Sequence, residues 1–227
     1  MGVPSAVEAL QVLARSEALV HRDGSASLRQ FEMYTHQGLL TLHWHDPVVA
    51  PAPAAIVAFG GAMGGTLGPG HALYHRLGEE WSRRGVCVIR VGYRRPNDLD
   101  TCTHDVAAAV ELAVEAGATN VVVMGHSFGG AVAVRTAVVM PEVVSGVVTF
   151  ATQSAGCDVA GALAGRPFLL FHGARDELLP LQASEVVRAI AGTGELVVLP
   201  GDGHLLARSD EVIVERLDEW LPPVLGL

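Results

Sequence analysis

The chain has 227 residues, half of them hydrophobic and 17% charged, with a formal net charge of −9, and all 15 of its basic residues are arginine. Without lysine there is no Schiff-base or pyridoxal-phosphate lysine, no P-loop lysine and no Ser-Lys dyad. The acidic balance and the scarcity of aromatic side chains (5%) argue against a nucleic-acid partner.

The length suits one domain, residues 1–227, able to bury roughly 70% of its unfolded surface. Three widely spaced cysteines, Cys87, Cys102 and Cys157, fit a reduced compartment better than a disulfide framework. Residues 1–16 read as an N-terminal helix carrying Val7, Leu10 and Leu13, interrupted by Glu8 and Arg15. They lack the basic stretch and apolar core of an export signal, so a cytoplasmic protein is expected. No apolar run approaches the roughly 18 residues of a membrane helix, and no membrane partner is expected.

Residues 27–34 and 39–44 form an antiparallel hairpin turning near Gln37-Gly38, and the Pro/Ala-rich stretch 47–53 is a strand connection. A regular alternation follows. Residues 54–59, 86–91, 120–124, 146–150, 167–171 and 195–199 are short runs rich in Val, Ile and Phe. Between or after them lie helical patterns at 71–84, 103–116, 128–139, 181–191 and 206–221. Leu73, Leu77 and Trp81 mark one buried stripe in the first of these. Continuous apolar strands alternating with helices predict an α/β fold: about eight strands, mostly parallel, with helices on both faces. In such a sheet the chemistry sits beyond the carboxyl ends of the strands.

After the strand at 120–124 the chain reads Gly125-His126-Ser127-Phe128-Gly129-Gly130 and then a helix. This is G-x-S-x-G in a strand–turn–helix setting. The turn strains Ser127 and lifts its hydroxyl above the sheet, while Gly125 and Gly129 let strand and helix approach. A serine hydroxyl needs a base, and the base needs an orienting carboxylate. Asp176 follows the strand at 167–171 in His172-Gly173-Ala174-Arg175-Asp176, and His204 follows the last strand in Gly201-Asp202-Gly203-His204. The order Ser, Asp, His is the one this elbow requires. Glu177 and Asp202 are competing carboxylates.

From about residue 27 onward these motifs resemble the α/β-hydrolase family, and the chain is similar to its small, lidless esterase-like and dienelactone-hydrolase-like members. It differs from true dienelactone hydrolases in having Ser127 where they carry cysteine. The resemblance implies a serine carboxylic-ester hydrolase acting through an acyl-enzyme on a small-molecule substrate, with no cofactor or metal. Ser127 is then the nucleophile, His204 the base and Asp176 its orienting group. Asp158 follows a strand where some members place the acid. Phe128 is expected to give one oxyanion-hole amide, and the loop Gly60-Gly61-Ala62-Met63 the other, from Ala62 or else Met63. Candidate substrate contacts are Leu67, Tyr93, Leu178 and Leu205, together with Met63.

Thioester, lactone or amide cleavage would use the same triad. A non-catalytic binding protein on this scaffold is a different reading, against which the intact triad argues. An NADP-binding oxidoreductase is another; Arg94 and Arg95 would suit a 2′-phosphate, but no glycine set here fits G-x-G-x-x-G. The two arginines are instead expected as positive charge at the mouth of the site. His71, His75 and Glu79 could share a helix face but lack a fourth metal ligand. His43 and His45 are expected on an exposed hairpin, His126 and His172 as packing residues beside the motifs, and Cys102 as a small buried residue. About 16 residues separate the strands at 146–150 and 167–171, room for one short helix and no lid.

Overall fold

The structure, a computed structural model, describes residues 5–23, 26–163 and 165–227. A single helical turn, α1 (Ala6–Ala9), precedes three antiparallel strands, β1 (Ala14–Asp23), β2 (Ala26–Thr35) and β3 (Gly38–Asp46). Strands and helices then alternate: β4 (Ala54–Phe59), α2 (Leu73–Arg83), β5 (Cys87–Gly92), α3 (Leu99–Glu115), β6 (Asn120–His126), α4 (Phe128–Val139) and β7 (Val144–Phe150). A 3-10 helix (Asp158–Leu163) leads to β8 (Phe168–Gly173), α5 (Gln182–Ala191), β9 (Glu195–Leu199) and α6 (Asp210–Leu225). The described strands form one nine-stranded sheet in the order β1-β2-β3-β5-β4-β6-β7-β8-β9, parallel from β5 through β9.

Period-two alternation divides the core between the two faces of the sheet. Ala54, Ile56 and Ala58 of β4 join Val122 and Met124 of β6 under Leu73, Leu77 and Trp81 of α2 and Leu217 and Leu221 of α6. Ala55, Val57 and Phe59 face the other way with Val121 and Val123, beneath Val106 and Val110 of α3 and Val132 of α4. Both faces are thus covered, which is why these strands read as unbroken apolar runs.

Two expectations at the amino end need correction. The helix expected over 1–16 is a single turn at Ala6–Ala9; residues 1–4 lie outside the described residues, and Ala14 already begins β1. Ser5 and Glu8 make a capping box, and Glu111 of α3 accepts from the Ala6 and Val7 amides at 2.7 and 2.8 Å. Gln11, at φ 50°, ends the turn. Strand β1, a ninth strand where about eight were expected, is an edge strand exposed from Ala14 to His21, so no buried alternation marks it in the sequence.

Helix boundaries also shift. Ala72 adopts a left-handed conformation (φ 55°), so α2 starts at Leu73 and His71 falls outside the helix it was expected to share with His75. Helix α3 starts earlier than expected because Asp98 caps it, accepting from Thr101 N at 3.1 Å. Helix α6 runs from Asp210 to Leu225 and carries Pro222 and Pro223 in its last turns.

The topology places the site. From β4 the chain crosses through α2, on one face, to β5; from β6 it crosses through α4, on the opposite face, to β7. The carboxyl ends of the neighbouring strands β4 and β6 therefore border the crevice where connections diverge. Among the described residues between β7 and β8 the one helix is the 3-10 helix, packed against α4 and α5. No helix among the described residues is long and apolar enough to cross a membrane.

Candidate active site

Ser127 stands at the junction of β6 and α4 with φ 58° and ψ −118°, a conformation costly for a residue with a side chain. Its neighbours fix it there. The Ser127 amide donates to Phe150 O at 2.7 Å, and its carbonyl accepts from Gly130 N at 2.9 Å and Gln153 N at 3.3 Å. A Cβ on Gly125 would lie 2.0 Å from Gly129 O, and one on Gly129 would lie 2.4 Å from Gly60 O. Only glycine permits the strand, the elbow and the β4 loop to meet this closely. Gly125→Ala is therefore expected to cost about 3 kcal/mol or more, lowering the Tm by about 6–12 °C for a chain of this size. Thermal unfolding of the variant would check this.

His204 and Asp176, 28 residues apart, meet at the same end of the sheet. His204 Nδ1 lies 2.8 Å from Asp176 Oδ2, and the Asp176 side chain is fully inaccessible. Its other oxygen, Oδ1, accepts from the Leu178 and Leu179 amides at 2.9 and 2.8 Å. Burial pushes the Asp176 pKa up, but the Leu179 amide, His204 and the Leu178 amide together outweigh it and hold the group below the usual carboxylate range. An ionised Oδ2 can only accept, so Nδ1 of His204 carries the proton and Nε2 is left with the lone pair.

The competing carboxylates are placed elsewhere. Buried Asp202 accepts from Arg208 N at 2.8 Å, Glu177 is exposed with an oxygen beside Gly203, and Asp158 is exposed at the start of the 3-10 helix.

His126 buttresses His204. Its Nε2–H donates to His204 O at 2.9 Å, and the two rings lie 4.8 Å apart. Burial, with a smaller contribution from the neighbouring His204 ring, lowers the His126 pKa to about 4 despite its bond to the His204 carbonyl. His126 stays neutral at physiological pH and adds no second positive charge beside His204.

The loop after β4 closes on the elbow. A Cβ on Gly61 would lie 3.3 Å from Ser127 Cβ and 3.4 Å from His126 O. Gly64 N donates to Gly61 O at 2.9 Å, making a tight turn with Ala62 and Met63 at its tip. The amides of Ala62, Met63 and Phe128 have no acceptor among the described residues. The Phe128 amide is free because it begins α4, where the first turn of a helix leaves its N–H groups unpaired.

The candidate wall residues divide into two kinds. Met63 is 95% exposed, and Leu67, Leu178 and Leu205 are also exposed on the loops that carry the site. Gly70 N donates to Leu205 O at 2.6 Å, tying two of these loops together. Tyr93 is 6% exposed and does not line an open wall. Its hydroxyl donates to Gly60 O at 3.1 Å and its ring packs on Phe59 and Phe128, so it supports the loop from beneath.

Other expectations are corrected by burial. The Arg94 side chain is 1% exposed and pairs with the fully buried Asp105 of α3, so it offers no charge at the mouth. Arg95 is exposed, and the adjoining Pro96 lies against Gly64 of the turn. His45 is buried rather than exposed, and His43 is half-buried. Arg90 Nε donates to His45 Nε2 at 3.0 Å, and the ring sits so close to Gly78 of α2 that a Cβ there would lie 2.4 Å from it. Burial and then the Arg90 charge lower the His45 pKa to about 3. Cys102 is buried, as expected, its thiol pushed up to about 12 by desolvation and then by Asp105.

Comparison with known proteins supplies an independent view of this scaffold. No family model matches the sequence, and no curated protein matches it. Solved structures do. Est1E from Butyrivibrio proteoclasticus is 17% identical, with a TM-score of 0.72 over 87% of this chain and 99% of its own. Dienelactone hydrolase from Anabaena variabilis is 16% identical, with a TM-score of 0.71 over 93% and 99%. Acetyl xylan esterase 1 from a Thermoanaerobacterium species is 13% identical, with a TM-score of 0.72 over 96% and 91%. Est1E has also been solved with ferulic acid bound. The chain has the α/β-hydrolase fold.

Proposed function

We propose that the protein is a serine hydrolase that cleaves carboxylic esters of small acyl groups. The observation that carries this reading is the 2.8 Å bond between buried Asp176 and His204, formed at the same sheet end as a strained Ser127. The names of the structural relatives, an acetyl xylan esterase and a dienelactone hydrolase, accord with it.

The chemistry follows from the tautomer. Ser127 Oγ attacks the carbonyl carbon and gives its proton to His204 Nε2, and Asp176 stabilises the resulting imidazolium. The negative charge on the former carbonyl oxygen is met by the Phe128 amide and by the amide of Ala62 or Met63, each worth roughly 3–4 kcal/mol in the transition state. His204 then protonates the leaving alkoxide, and an acyl group remains on Ser127. A water molecule, deprotonated by His204, attacks that acyl group and releases the acid and free Ser127.

Among its described residues the connection between β7 and β8 holds a short 3-10 helix and no long insertion, and the side chains Met63, Leu178 and Leu205 are exposed. Short acyl chains are therefore the expected substrates, since a long chain would leave most of its apolar surface in water. Fluorophosphonate labelling with a p-nitrophenyl ester series from C2 to C12 tests the reading. Labelling at Ser127 with an optimum between C2 and C6 is expected; a folded sample that takes no label would reject it.

A further inference from the structure

Behind Asp176 lies a pair of buried polar side chains that the reaction does not use. His172, the next-to-last residue of β8, and Ser184, in the first turns of α5, both have no solvent exposure. His172 Nδ1 is 2.7 Å from Ser184 Oγ. His172 Nε2 is 3.0 Å from Leu179 O and 3.4 Å from Asp176 Oδ2. Leu179 also lends its amide to Asp176 Oδ1, so the same residue meets His172 through its carbonyl and Asp176 through its N–H.

A carbonyl oxygen can only accept, so His172 Nε2 carries a proton. Nδ1, on the other side of the ring, is held by the Ser184 hydroxyl. The ring thus presents a fixed Nε2–H toward Leu179 O and toward Asp176 Oδ2, the oxygen that also receives His204 Nδ1–H. Four side chains stand in contact: Ser184, His172, Asp176 and His204.

The geometry points to His172 and Ser184 as positioning residues that hold the Asp176 carboxylate, and through it the His204 ring, in the orientation the reaction needs. This inference rests on the reading of Ser127, Asp176 and His204 given above. A hydrogen-bond donor suits the task. It steadies Oδ2, the oxygen that also receives His204 Nδ1–H. Ser184 fixes the rotation of the His172 ring by holding Nδ1.

The tests compare variants that remove the donor with one that keeps it. Ser184→Ala and His172→Phe should lower kcat by about 10–100-fold with KM little changed, as loss of an orienting partner does. His172→Gln places an amide N–H near the position of Nε2 and should recover kcat to within a few fold of the parent protein. The far-downfield proton resonance of His204 Nδ1–H, assigned by its loss in His204→Gln, should move or broaden in Ser184→Ala and return in His172→Gln. Packing alone would not restore both readouts through a hydrogen-bond donor. Folded Ser184→Ala and His172→Phe proteins with unchanged kcat and an unmoved resonance would overturn the inference while Ser127 still takes a fluorophosphonate. A parent protein that takes no label rejects the hydrolase reading instead, and the resonance still reports whether His172 positions His204.

Discussion

Ser127→Ala is expected to reduce ester turnover by about 10⁴–10⁶-fold, because the nucleophile cannot be replaced by water at the same geometry. The fold should survive. The Ser127 contacts that shape the elbow run through its backbone to Phe150, Gly130 and Gln153, and alanine retains all of them. The residual rate should come from the backbone donors of Phe128 and the β4 loop. Adding Phe128-side bulk or altering the loop would change that residue of activity, but the serine substitution alone should leave substrate binding nearly intact. Circular dichroism and thermal unfolding should match the parent protein, while initial rates on a short p-nitrophenyl ester fall by that factor. A variant that keeps its turnover would remove Ser127 from the mechanism.

Asp176→Asn should cost about 10⁴-fold in kcat through the proton it misplaces rather than through shape. Asp176 Oδ1 accepts two backbone amides, from Leu178 and Leu179, and the asparagine carbonyl has to take that place. Its NH₂ group then faces His204 Nδ1. Two donors cannot share that contact, so His204 turns to the tautomer with its proton on Nε2 and can no longer accept from Ser127. The same NH₂ meets His172 Nε2–H, which sharpens the conflict. The pH dependence has a definite sign. Asp176 has a lowered pKa in the folded chain, so its stabilising contribution is present above the unfolded carboxylate pKa and is lost as pH falls through the folded value. Acid unfolding of Asp176→Asn should therefore show less pH dependence in that window than the parent protein. Steady-state rates and acid-unfolding curves measure the two effects separately.

The residues whose placement was legible in the sequence are those tied to a local backbone event. Gly125, Ser127 and Gly129 lie within five positions, and the close approach that forces two glycines is a local one. Asp176 and His204 follow strand ends, so the period of the apolar runs leads to them. What escaped depends on partners distant in sequence or in the opposite layer. Strand β1 is exposed on both sides and carries no buried alternation. His45 is buried because Arg90 reaches it from β5 and Gly78 opens space on α2. Arg94 is buried because Asp105 occupies the inward side of α3, among Cys102, Val106 and Ala109. A carboxylate on an apolar helix face was the available signal. Ser184 sends a similar one, standing on the buried side of α5 with Ala183 and Val187. Its partner His172 was read as packing, which describes its burial but not its hydrogen bonds.

The short connection between β7 and β8 bears on what an acyl group would meet once attached to Ser127. Among its described residues that segment forms a 3-10 helix packed against α4 and α5, with no long insertion that would make a lid. On the proposed mechanism the second half of the cycle is a competition among nucleophiles, decided by their concentrations. In dilute buffer water is expected to win and give an acid; in concentrated methanol or glycerol an alcohol is expected to take its share and give a new ester.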